Sequence, residues 1–219
     1  MTAFEAARTH MIESQLRPNK VADDRVLDGF ARVRRELFVP EQLRPVAYVD
    51  NDLPLGRGRY LMEPMVAARL IQAASLRRAD TALVVGAGTG YEAAVMSMLV
   101  RTVVALEDDA ELARFARGAL VEEGIASVSV VEGPLPAGCR PRAPYDAVLF
   151  AGAIAELPRE ILAQLAEDGR LVAVVKTDGG GVGRATRATR TGGVIARRVI
   201  FDAATPLLAG FAPKPAFVF

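Results

Sequence analysis

From Thr81 onward, short apolar runs alternate with segments whose apolar positions recur every three or four residues. The runs are Thr81–Val85, Thr102–Leu106, Ser127–Val131, Tyr145–Phe150 and Leu171–Val175, and they predict five buried strands. Helices are predicted between them. One covers Thr89–Leu99 and is rich in Ala and Met. A second is capped by Asp108 or Asp109 and closed at Gly124. A third opens at Pro158 and runs to about Glu167, with Gly169 after it. Strands that are apolar along their whole length are covered on both faces, so the pattern predicts an α/β fold with a parallel sheet. After Lys176 the helical pattern stops. Gly179-Gly180-Gly181 predicts a loop, and Arg184–Thr189 and Val194–Phe201 flank Thr191-Gly192-Gly193 as a C-terminal antiparallel hairpin. The hairpin's arginines, Arg184, Arg187 and Arg190, read as solvated.

The first third of the chain has a different rhythm. Residues 3–16 suit a helix ended by Pro18, and Asp23 or Asp24 caps a second helix to about Arg35. Val26, Leu27, Phe30 and Val33 form the apolar stripe of the second. From Phe38-Val39-Pro40 to Gly58 the chain reads as irregular. Pro64 then opens a helix with Val66, Leu70 and Ile71 on one face, and Pro suits a helix's first turn. The expectation is one domain over 1–219, with a helical and loop cap at 1–78 and a core with its hairpin at 79–219. The tail Ala216-Phe217-Val218-Phe219 is apolar to its last residue, which predicts packing on the core or in a homodimer.

Composition narrows the chemistry. The net charge of +1 gives no field for nucleic acid or an anionic membrane. No apolar run approaches the roughly 18 residues of a membrane span, and the charged N-terminus lacks the apolar stretch of a secretory signal. A cytoplasmic location is expected. The single cysteine, Cys139, rules out a disulfide framework within the chain, and no metal cluster is expected. The single histidine, His10, lies in a polar helix far in sequence from the other candidate chemistry, which argues against a His-based triad.

That chemistry centres on Gly86-Ala87-Gly88-Thr89-Gly90, at the end of the first core strand. Ligands of open α/β sheets bind at the carboxyl ends of the strands. A dinucleotide site wants G-x-G-x-x-G, but the third glycine position is held by Tyr91, whose bulk opposes close helix packing. The spacing present is G-x-G-x-G. Glu107, at the end of the second strand, suits the hydroxyls of a ribose, which either ligand carries. Spacing, Glu107 and the terminal hairpin together favour an S-adenosylmethionine (SAM) site over a nicotinamide one.

Five motifs extend the pattern: MIESQLRP, RVRRELFVP, AYVDNDLPLGRGRYLMEPMVAARL, VVGAGTGYEAAV and PYDAVLF, in this order. Over about 11–175 the chain resembles the protein-L-isoaspartate O-methyltransferases. The resemblance implies a Rossmann-like SAM-dependent methyltransferase fold and methyl transfer to the carboxylate of an isoaspartyl residue, in a protein or peptide substrate. It implies cofactor contacts from Leu61, Met62, Gly86, Ala87, Gly88, Gly90, Tyr91, Glu107, Gly133, Pro134, Leu135, Ala151 and Gly152, and acceptor-site candidates Arg57, Arg59, Tyr60 and Met62. A carboxylate is ionised at neutral pH, with a reference pKa of roughly 4, so this reaction asks for positioning rather than for a base.

The chain departs from the family at defined positions. The family's G-Q-T-I-S-Q-P is here Gly58 to Pro64, with Tyr60 for Thr, Met62 for Ser and Glu63 for the second Gln. Methionine donates no hydrogen bond. Arg57 and Arg59 are suited to a carboxylate. The family's L-E-x-G has Val84 at the acidic position, and its G-D-G has Pro134 at the Asp. Each lost hydrogen bond to a charged group costs roughly 1.5–3 kcal/mol, about tenfold to a hundredfold in affinity. These losses leave a second reading open, a binding or regulatory protein that keeps the fold without catalysis.

Overall fold

The computed structural model describes residues 2–177 and 181–212. Five parallel strands lie side by side, as the apolar runs predict: β3 (Thr81–Val85), β4 (Thr102–Glu107), β5 (Val128–Glu132), β6 (Tyr145–Ile154) and β7 (Leu165–Val175). With β8 (Gly183–Thr191) and β9 (Val194–Ala203) the sheet runs β5-β4-β3-β6-β7-β8-β9, the last two antiparallel to their neighbours in turn. The hairpin turns at Gly192-Gly193, where the sequence places it.

Alternate residues of β3 feed two cores, since successive side chains of a strand point to opposite faces. Ala82 and Val84 join Phe30, Phe38, Leu70 and Tyr91 on one face, while Leu83 and Val85 join Leu106, Phe150 and Ile161 on the other. The first face is covered by α1 (Ala3–Met11), α2 (Asp24–Arg32), α3 (Pro64–Ala73), α4 (Tyr91–Ser97) and α5 (Ala110–Glu123). The second is covered by α6 (Arg159–Leu162), by short turns over 135–142, and by Leu208 and Phe211. No helix of the described residues is long and apolar enough to cross a membrane.

Local signals set most helix ends. Thr2 and Glu5 form a capping box on α1, whose path continues as a π-turn over Ile12–Leu16. Asp23 and Asp109 cap α2 and α5, and Gly124 closes α5 in the left-handed conformation. Elsewhere the structure corrects the expectation. Helix α2 stops at Arg32 because Val33 is extended, and 35–38 make a separate 3-10 turn. Helix α4 begins at Tyr91, not Thr89, because Gly90 has φ +96 and lies outside helical space. The stretch read as irregular contains a small antiparallel hairpin, β1 (Leu53–Gly56) and β2 (Arg59–Leu61), turning at Arg57-Gly58. Helix α6 is one turn, not ten residues, and β7 starts at Leu165. A three-residue excess in β7, between the pairs Tyr145–Leu165 and Ala147–Arg170, absorbs Asp168 at φ +57 and Gly169. Strand β6 runs past Phe150 to Ile154, with a second irregularity between Leu149 and Ala153.

The hairpin arginines also differ from expectation. Arg184 is exposed, but Arg187 donates to the Ala73 carbonyl (3.1 Å) and Ser75 Oγ (3.0 Å), and Arg190 to the Leu165 carbonyl (3.0 Å). The apolar tail at 216–219, with its suggested dimer contact, and Gly179-Gly180 lie outside the described residues.

One buried cation ties the end of α3 to the sheet. Arg170, on β7, donates to the Ala74 carbonyl (2.8 Å), the Ser75 carbonyl (2.7 Å), the Asp146 carbonyl (2.9 Å) and the Asp80 carboxylate (2.6 Å). Both members of the ion pair are buried. Removing one partner leaves the other charge buried and unpaired. Arg170→Met is therefore expected to lower the unfolding free energy by about 3–5 kcal/mol, measured by urea denaturation at pH 7; a loss below about 1 kcal/mol, the size of a surface pair, contradicts the anchoring role.

Candidate active site

The order β5-β4-β3-β6 makes the β3/β6 boundary the point where chain connections leave in opposite directions, and a crevice at the carboxyl ends of such strands is where open α/β sheets bind ligands. The glycine turn stands at this point. The Gly86 and Ala87 N–H groups donate to the Leu106 carbonyl (2.9 and 3.0 Å), and the Gly88 N–H donates to Glu107 Oε2 (2.7 Å). Thr89 Oγ1 donates to the Phe38 carbonyl at 2.5 Å, tying the turn to the cap.

Glu107 is fully buried. Its Oε1 accepts from the N–H groups of Asp108 (3.0 Å) and Asp109 (3.1 Å), and from Arg59 Nε (3.2 Å). Burial pushes the Glu107 carboxyl above the usual carboxylate range; Arg59, and the Gly88 and Asp109 N–H groups, pull it back. Arg59 is itself 4% exposed and also pairs with Asp108. Arg57, one turn residue away, is exposed and pairs with Asp109 (3.4 Å) and Glu111. Of the two arginines read as acceptor candidates, Arg59 thus faces the cofactor-type carboxylate and Arg57 faces the start of α5.

The other candidates divide by burial. Leu61 and Met62 are core residues, and the Met62 carbonyl accepts from Arg35 Nη2 (2.7 Å). Tyr60 is exposed. Tyr91 is buried against Phe30 and Phe38, with ring centroids 5.9 and 5.6 Å away, and Arg35 lies 4.8 Å over its ring. The Gly133 N–H donates to the Glu107 carbonyl (3.1 Å), placing Gly133-Pro134-Leu135 beside Glu107, but Leu135 is wholly buried. Glu132, a nearby acid, pairs with Arg117 (2.8 Å) on the exposed side. Ala151 and Gly152 lie within β6, at its irregularity. His10 is exposed on α1.

Four residues at or near the cleft escaped the sequence reading. Leu208 packs over Gly86 and Gly152: a Cβ added at Gly86 would lie 2.5 Å from the Leu208 side chain, and one at Gly152 would lie 3.2 Å from it. Leu55 of β1 lies over Gly88, 3.1 Å from a Cβ there. Asp52, held above its usual range by burial, accepts from the Glu63 N–H (3.0 Å) and Thr205 Oγ1 (3.2 Å) on one oxygen. Glu92 is buried at the start of α4 with Oε1 unpartnered among the described residues. Only Glu92 carried a signal, a charge at the first turn of an otherwise apolar helix.

The fold and the glycine turn define a Rossmann-like methyltransferase architecture. The model of the family described as protein-L-isoaspartate(D-aspartate) O-methyltransferase matches residues 6–200, and the chain belongs to that family. Among its relatives, a Koribacter versatilis protein-L-isoaspartate O-methyltransferase is 40% identical over 172 residues, 78% of each chain. A Rhodopseudomonas palustris protein-L-isoaspartate O-methyltransferase 1 is 39% identical over 190 residues, 87% of this chain and 77% of its own. A solved protein-L-isoaspartate O-methyltransferase superposes with a TM-score of 0.80 at 22% identity, over 94% of this chain and 67% of its own. A Plasmodium falciparum structure, described as a candidate of the same activity in complex with S-adenosyl-L-homocysteine, gives 0.77 at 19% identity, over 95% and 99%. At those identities the superpositions bear on the fold alone.

The family is SAM-dependent, so the fit of the cleft to SAM can be tested on its residues. Glu107, read from the sequence as a ribose acceptor, accepts here from Arg59 and from three backbone N–H groups. Val84 is buried in apolar surroundings and offers no acceptor, and Pro134 has no polar side-chain atom. Leu208 fills the space between Gly86 and Gly152. Of the groups at this cleft, Glu107 and the backbone of the glycine turn suit an adenosyl cofactor, and Arg59 and Leu208 lie against them in this structure.

Burial holds the Glu92 carboxyl near neutrality, pushed up to about 7, against the pull of Arg35 and of its own and the Met62 N–H groups. The folded protein then binds more protons than the unfolded chain between about pH 4.5 and 7, so stability falls as pH rises through that window. In Glu92→Gln this contribution is absent. The variant's stability advantage over the natural chain should grow by on the order of 3 kcal/mol between pH 4.5 and 8, read from paired urea titrations. Parallel pH profiles for the two proteins contradict a buried, raised Glu92.

Proposed function

We propose that this chain transfers the methyl group of SAM to the carboxylate of isoaspartyl residues in proteins or peptides. The family match over residues 6–200, which spans the β1–β2 hairpin, the glycine turn and Glu107, carries this reading. Relatives near 40% identity over most of both chains support it.

The chemistry asks little of side-chain acids and bases. The acceptor carboxylate is ionised at pH 7 and is already nucleophilic, since its reference pKa is roughly 4. SAM supplies an activated methyl group. What the protein contributes is alignment. The exposed His10, far along the chain from the glycine turn, is no part of this scheme. For the cofactor, Glu107 is the residue suited to the ribose, and the backbone of Gly86, Ala87 and Gly88 lies beside it. Gly133-Pro134-Leu135 lies on the far side of Glu107. Met62 has its side chain in the core and its carbonyl on Arg35, so it offers the cofactor no side-chain group. Tyr60 and Arg57, exposed on the hairpin, are the candidate residues at the acceptor side.

The test is transfer of labelled methyl from SAM to a peptide containing one isoaspartyl residue, with the aspartyl isomer as control. Base-labile methyl incorporation confined to the isoaspartyl peptide is expected. Glu107→Gln is expected to raise the KM for SAM about tenfold to a hundredfold, as for loss of a hydrogen bond to a charged group. Equal labelling of both isomers, or none in a protein shown to bind SAM, removes the proposed activity.

A further inference from the structure

After β9 the chain does not leave the sheet. Thr205 Oγ1 donates to Asp52, and the Ala153 N–H donates to the Pro206 carbonyl (2.8 Å). The Leu208 N–H donates to the Ala153 carbonyl (2.7 Å), and the Ala155 N–H to the Phe211 carbonyl (2.9 Å). The segment 205–211 therefore runs along the carboxyl end of β6, with Leu207 bridging Ala153 in parallel. Its start is held at Asp52, just before the β1–β2 hairpin. Its far end reaches Pro136, 3.7 Å from a Cβ at Gly210, beyond the 133–135 loop. Between these ends Leu208, 3% exposed, is lodged between Gly86 and Gly152, and Phe211 meets Phe150 edge-on at 5.2 Å.

This path crosses the crevice that the strand order marks for a ligand. Glu107, on its other wall, is closed by Arg59. Two groups of this chain, an apolar wedge against Gly86 and Gly152 and a cation on Glu107, thus stand at the carboxyl ends of the strands where open α/β sheets take a ligand. We propose that the segment 205–211, with Leu208 as its wedge, is an intramolecular plug that competes with the adenosyl cofactor for the β3/β6 cleft. The proposal rests on the SAM reading above. The cofactor binds the fraction of molecules in which the segment has withdrawn and Arg59 has released Glu107, and its apparent affinity is reduced by that fraction. Ligand binding in turn drives the segment out, because the coupling is reciprocal.

The test uses the full chain and S-adenosylhomocysteine, with calorimetry for affinity and amide exchange for the segment. Leu208→Ala shortens the wedge and raises the open fraction, so the variant should bind S-adenosylhomocysteine at least about tenfold more tightly, about 1.4 kcal/mol. Thr205→Val, which cuts the tether to Asp52 without touching the cleft, should shift affinity in the same direction. In the natural chain, adding the ligand should speed exchange of the Leu208 N–H, the reverse of ordinary protection by a ligand. Unchanged or weaker binding in folded Leu208→Ala and Thr205→Val overturns the plug. So does slower exchange at Leu208, and so does absence of binding by all three proteins at millimolar ligand, which makes the segment permanent core. Tighter binding in the variants without methyl transfer to isoaspartyl peptide sinks the proposed activity and leaves the plug standing. Methyl transfer with affinity unmoved by Leu208→Ala does the opposite.

Discussion

A carboxylate taken out of water at the end of β4 organises the functional end of this molecule. A buried charge is tolerated only when paired and hydrogen-bonded. Glu107 recruits its partners from three parts of the chain: the glycine turn after β3, the entry to α5, and Arg59 on the β1–β2 hairpin. The turn is fixed in place because its Gly88 N–H is one of those partners. The hairpin is drawn against the core because its arginine is another. A three-residue strand such as β2 has little stability of its own, and the ion pair and the burial of Leu61 and Met62 hold it.

Segments far apart in the sequence meet at Asp52. Asp52, just before the hairpin, accepts from both Glu63 and Thr205 on one oxygen, so the exit of the hairpin and the start of the 205–211 segment share a single acceptor. Leu55 and Leu208 then approach Gly88 and Gly86 from the two sides. The glycines keep their family spacing, and the room above them is taken by side chains of the same molecule. Membership of the isoaspartyl methyltransferase family and a closed cleft are compatible when closure is an equilibrium, and the apolar wedge has the character of a reversible contact: burial of one Leu contributes about 2–3 kcal/mol.

Periodicity revealed the sheet because the runs 82–85, 103–106, 147–154 and 171–174 are apolar and buried throughout, and a strand buried on both faces has few polar positions to blur the signal. Caps revealed α5 because Asp109 and Gly124 act within one turn of its ends. The β1–β2 hairpin was hidden: Pro54 and Gly56 in β1 read as breakers, and what stabilises the pair is Glu107, 48 residues from Arg59. The short α6 and the long β7 were hidden because Asp168 and Gly169 look like a helix end yet sit in a strand irregularity. At the site, the turn and Glu107 were legible by spacing. Arg59 was legible as a cation but not as the partner of Glu107. Leu208 carried no signal, because an isolated Leu after a hairpin has the same pattern whether it covers a core or fills a ligand cleft.

The most direct measurement is a crystal structure of the full chain grown with saturating S-adenosylhomocysteine. The account predicts the adenosyl ribose against Glu107, Arg59 turned away from it, and 205–211 lifted from β6. A ligand bound in the β3/β6 cleft with Leu208 still between Gly86 and Gly152 and Arg59 still on Glu107 would contradict it.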